Sequence, residues 1–123
     1  MPTFRIEEIP GEPIVIVTEG ESFSPDTDGE AMLQELEDLF ETNPELLYII
    51  VDSRLPRYDY RDVVHGVNKV VPYLQRIGME KLVLVGADDM KRLIAEGLTT
   101  DAFGNLPASF AASMDDALAL VRG

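Results

Sequence analysis

The stretch Leu46–Val51, LLYIIV, followed at once by Asp52, decides the fold. Six apolar residues in a row are too few for a buried helix. They are also too uniform for a strand with one wet face. A run of this kind suits a central strand covered on both sides, as in a parallel sheet. Lys81–Val85, KLVLV, closed by Gly86, reads as a second buried strand. Between the two, Val63, Val64, Val67, Val70, Val71, Leu74 and Ile77 recur at helical spacing, with Gly78 as a natural stop. Pro72 is expected to kink that helix, and its many valines require tertiary packing to hold it.

Towards the amino terminus the same alternation continues. Met32, Leu33, Leu36, Leu39 and Phe40 make one apolar helix face, and Glu35, Glu37, Asp38 and Glu41 fill the rest. Thr27-Asp28-Gly29-Glu30 has capping-box spacing and predicts the start of this helix; Asn43-Pro44 predicts its end. Thr3–Ile9 alternates as a half-buried strand, Pro10-Gly11-Glu12-Pro13 is turn chemistry, and Ile14–Thr18 is a second strand. The short connection predicts a hairpin. Glu19–Asp28 is read as a loop.

Towards the carboxyl terminus, Asp88 or Asp89 caps a short helix through Glu96, and Gly97 terminates it. Leu98–Ala108 follows as a loop and Ser109–Ser113 as a strand. Ser113-Met114-Asp115-Asp116 caps a last helix whose stripe is Ala117, Leu118 and Val121. The expected order is ββαβαβαβα: one α/β domain over residues 1–123, with a mixed, largely parallel sheet and helices packed on it.

Composition narrows the function classes. The chain has 123 residues and a formal net charge of −13, which argues against nucleic acid or an anionic membrane as partner. The charge is uneven. Met1–Glu45 holds thirteen acids against the single base Arg5, whereas Leu46–Gly123 holds ten acids against nine bases. The acidic first third reads as a solvated face, or more sharply as a docking face for a basic partner. There is no cysteine and one histidine, His65, so no metal site is expected; Gly86-Ala87-Asp88 lacks the pattern of a phosphate-binding loop, and no cofactor is expected. The N-terminus lacks the pattern of a signal peptide, and no apolar stretch reaches the ~18 residues of a membrane span, so a cytoplasmic location is expected.

With the elements in place, the chain resembles the STAS domain family, the fold of bacterial anti-sigma-factor antagonists. The resemblance rests on element order and length over nearly the whole chain. It also rests on an apolar strand ending in aspartate (LLYIIVD, to Asp52), a short loop, and a helix start at Asp59-Tyr60-Arg61-Asp62. In that family the helix start carries a phosphorylatable serine; by spacing its position falls on Tyr60, and Ser53 stands at the other end of the loop. The resemblance implies a non-catalytic regulatory domain that binds another protein, such as a kinase-like or sensor protein, or a small ligand in divergent members. VDSRLPRYD is also similar to the phosphoacceptor segment of receiver domains, which would make Asp52 the acceptor. Around it, Gly86-Ala87 and Ala111-Ala112-Ser113 stand where receivers have a threonine or serine and a lysine.

The candidate binding segment is therefore Asp52, Ser53, Arg54, Arg57, Tyr58, Tyr60 and Arg61. Three arginines follow the carboxyl end of a central strand and lead into a helix start, a setting that favours an anionic group. The plainer reading pairs them with Asp52, Asp59, Asp62 and the acidic first helix. Apolar residues of the Leu98–Phe110 region, Phe103, Leu106 and Phe110 among them, suggest a small-ligand pocket as the alternative function; folding onto the core is the plainer reading there. Association into a homodimer is left open by the sequence.

Overall fold

The computed structural model describes residues 3–20, 22–23, 28–53, 72–86, 89–100 and 106–122. Five strands form one sheet in the order β1-β2-β3-β4-β5: Phe4–Glu8, Ile14–Glu19, Tyr48–Ser53, Lys81–Val85 and Ala108–Ala111. The β1–β2 hairpin is antiparallel and every later pairing is parallel. Helix α1 spans Gly29–Thr42, residues 72–77 are helical (α2), α3 spans Asp89–Leu98 and α4 spans Met114–Arg122. The order ββαβαβαβα and the mixed sheet are those expected.

The sheet advances in chain order without reversing. Crossovers of one hand then leave their helices on one face of the sheet. Accordingly Met32, Leu33 and Leu36 of α1, Leu74 of α2 and Leu98 of α3 share a core with Val15, Val17, Ile49 and Leu82. Helix α4, which follows β5, folds back over the opposite face. There Ala117 and Val121 pack on Ile14, Ile50, Val83, Val85 and Ala111. The central run LLYIIV is thus apolar without a break because Ile49 and Ile50, both 0% exposed, point into different cores.

Several boundaries differ from expectation. The central strand is Tyr48–Ser53 rather than Leu46–Val51. Asp52 and Ser53 stay in it because they remain in register with Thr18 and Glu19 of β2, and Asp52 also with Val85 of β4. Leu46 precedes the strand, with its N–H donating to Asn43 O and its side chain in the core. β2 likewise runs one residue further, to Glu19. The N-cap of α1 is Asp28, which makes no side-chain cap hydrogen bond, and Thr27 of the predicted capping box lies outside the described residues. Gly97 does not stop α3. The helix continues to Leu98, whose side chain is buried, and the hydroxyls of Thr99 and Thr100 cap the carbonyls of Glu96 and Gly97 at 2.6 and 2.7 Å. Strand β5 begins at Ala108 and ends at Ala111, two residues before Ser113.

Other expectations hold. Asn43 ends α1, its backbone and side-chain nitrogens both donating to Leu39 O. Gly78 closes α2 with φ of +70°, a conformation costly for any residue with a Cβ. Ser113 caps α4 by accepting from the Asp116 N–H at 3.1 Å. The predicted kink at Pro72 involves residues outside the described ones.

Candidate functional site

All four parallel strands end at one edge of the sheet, so Glu19, Ser53, Val85 and Ala111 mark a common carboxyl rim. The central strand contributes Asp52 and Ser53 to it. Asp52 is half-buried and flanked in register by Thr18 on one side and Val85 on the other. By strand alternation it shares the face of Ile50, the face covered by α4. Of the predicted site residues, Asp52 and Ser53 are therefore placed at the middle of the rim. Arg54, Arg57, Tyr58, Tyr60 and Arg61 lie outside the described residues, as do Asp59, Asp62 and His65. The chain that continues as Arg54 leaves from this central position.

Sequence reasoning missed Glu19. It is the one buried charged residue among those described, 8% exposed, and it faces Phe4 in β1 and Ser53 in β3 in register. Its signal was present: Val15, Val17 and Glu19 alternate onto the same face, so the strand carries a carboxylate to the end of the core. Burial of a carboxylate without a partner is costly, and Glu19 is engaged in an interaction.

The helices behind the rim are tied by polar contacts. Arg76 of α2 donates from Nε and a terminal nitrogen to both carboxylate oxygens of Glu37 on α1, each at 3.2 Å. Its guanidinium also lies 4.5 Å from the centre of the Tyr73 ring. The Tyr73 hydroxyl donates to Glu30 at 3.1 Å, and this bond holds the Tyr73 pKa above its ordinary value. The acidic face of α1 is thus partly satisfied from α2. The arginine that does so is Arg76, which sequence patterning had not singled out.

Two of the apolar residues proposed for a ligand pocket belong to the main core. Leu98 and Leu106 are both buried in the main core, and the Leu106 N–H donates to Leu98 O at 2.7 Å. Phe110 is a half-buried residue of β5, and Phe103 lies outside the described residues. Met32 fills core as expected, and Met114, the first residue of α4, packs half-buried against the second core.

No family model matches the chain, and no curated protein matches it in sequence. Among the described residues, no cluster of three metal-ligating side chains occurs and no helix is long and apolar enough to cross a membrane.

Proposed function

We propose that this protein is a non-catalytic regulatory domain that binds another protein through the segment Asp52–Arg61, in the manner of STAS anti-sigma-factor antagonists. The observation that carries the reading is the placement of Asp52 and Ser53. They close the central strand at the middle of the carboxyl rim, and an arginine-bearing segment departs from that point. Carboxyl rims of α/β sheets are where such folds present their binding groups. The sequential strand order, opened by an antiparallel hairpin, supports the STAS resemblance. It is less favourable to the receiver alternative, because the doubly wound order 2-1-3-4-5 reverses and this one does not. In this reading the partner is a kinase-like or sensor protein, it contributes carboxylate or phosphate groups to Arg54, Arg57 and Arg61, and the setting is the cytoplasm.

Affinity capture from a cell extract tests this. Wild-type protein is expected to recover one predominant partner, and R54E/R57E/R61E is expected to lose it while keeping the wild-type circular dichroism spectrum. Equal recovery by both proteins overturns the reading. The small-ligand alternative is favoured instead if native mass spectrometry finds a retained small molecule on the wild-type protein.

A further inference from the structure

Among the described residues β1 is an edge strand, paired with β2 alone. The Gly20 N–H donates to Thr3 O at 2.8 Å, and the Ile9 N–H donates to Ile14 O at 3.0 Å. Between these two bonds the register is unbroken. Antiparallel alternation therefore gives the backbone groups of Arg5 and Glu7 to β2 and turns those of Phe4, Ile6 and Glu8 outward.

The side chains divide by the same alternation. Phe4 and Ile6 are half-buried against the main core. Arg5 and Glu7 point to the other face, where they pair at 2.8 Å with side chains 72% and 54% exposed. Edges that resist pairing carry prolines, bulges or charges of one sign. Phe4–Glu8 has no proline or glycine, and its charges at 5 and 7 are of opposite sign.

That order of charges is self-complementary. A second β1 laid antiparallel in full overlap sets Ile6 against Ile6, Arg5 against Glu7 and Phe4 against Glu8. Each of the outward-turned residues then meets another outward-turned residue, so every facing pair exchanges backbone hydrogen bonds. On one face Ile6 meets its equivalent across the dyad, which extends the apolar surface of the main core. On the other, two Arg5 and two Glu7 alternate, each charge beside its own partner and opposite the other copy's.

We propose that the outer edge of β1 pairs with the same edge of a second copy of this chain, with the two-fold axis at Ile6, to make one continuous ten-stranded sheet. The proposal is independent of the Asp52–Arg61 reading, since β1 and β3 lie on opposite sides of β2.

Sedimentation equilibrium of the full chain from about 10 μM to about 1 mM covers the weak association expected of one short strand pair. Wild type is expected to pass reversibly from monomer to dimer. R5E and E7R each set like charges opposite one another twice and are expected to weaken the dimer about tenfold. R5E/E7R restores the complementarity and is expected to return within about threefold of wild type. Circular dichroism verifies that each variant keeps the fold. On wild-type protein alone, amide exchange at Phe4, Ile6 and Glu8 is expected to slow as concentration rises, while that of Arg5 and Glu7 stays constant. A wild type that remains monomeric overturns the proposal and leaves the edge to a strand of a different protein. Single variants that associate like wild type, a folded R5E/E7R that does not recover, or concentration-independent exchange at Ile6 overturn it as well.

Discussion

Arg122, in the last turn of α4, clasps Glu12 in the first hairpin through two N–H···O bonds of 2.7 and 2.8 Å. Residues 110 apart in sequence thereby join the two ends of the fold. The pair also lies where a cation belongs, at the carboxyl end of a helix. It holds the Glu12 pKa below its ordinary value, chiefly through the hydrogen bond, and raises that of Arg122.

The sign of the resulting pH dependence is fixed. A carboxylate with a lowered folded pKa stabilises the fold above its unfolded value, near 4.5, and loses that contribution as pH falls through the lower folded value. E12Q is therefore expected to melt slightly below wild type at pH 7, with the gap closing as pH falls below 4.5 through the lowered folded value. High salt is expected to narrow the gap at pH 7, because the pair is exposed. Thermal melts at both pH values check this.

Tyr73 behaves in the opposite sense. Its neutral hydroxyl donates to Glu30, so the contribution is present below pH 10.0 and is lost as pH rises through the raised folded pKa. Absorbance titration near 295 nm is expected to show Tyr73 ionising after an ordinary tyrosine, and E30Q is expected to bring it back towards 10.0.

The two cores differ in composition but not in burial. Ile49 under α1 and Ile50 under α4 are both fully enclosed. Ile49→Ala and Ile50→Ala are each expected to cost ~2–5 kcal/mol in denaturant unfolding. Leu93→Ser, at a residue 58% exposed, is expected to stay within ~0.5 kcal/mol of wild type.

Gly78 offers a backbone test without packing consequences. A Cβ there meets nothing within 4 Å, yet φ is +70°. Gly78→Ala is expected to destabilise by ~1 kcal/mol through backbone strain alone. Equal stability in urea unfolding contradicts the assignment of Gly78 as the stop of α2.

The architecture was legible because period and run length report burial directly. LLYIIV and KLVLV are uninterrupted because each strand faces a core on both sides, and Ser113 capped α4 as its spacing required. Strand ends were less legible. Asp52, Ser53 and Glu19 are polar, and local chemistry assigns them to loops; only pairing with neighbouring strands keeps them extended. Gly97 misled for the complementary reason, since burial of Leu98 carries α3 past a residue that locally favours stopping. Of the candidate site, two residues of seven are placed by the fold, Asp52 and Ser53. Arg76, which meets Glu37 across 39 residues, has no local signal at all.

The central claim is that a protein partner is held by Arg54, Arg57 and Arg61. It is tested most directly by calorimetric titration of the captured partner against two variants of equal net charge. R54E/R57E/R61E reverses the loop, and R5E/K81E/R92E reverses three cations elsewhere. The account predicts at least about tenfold weaker binding for the loop variant and near wild-type binding for the other. Equal affinity for both variants would contradict it.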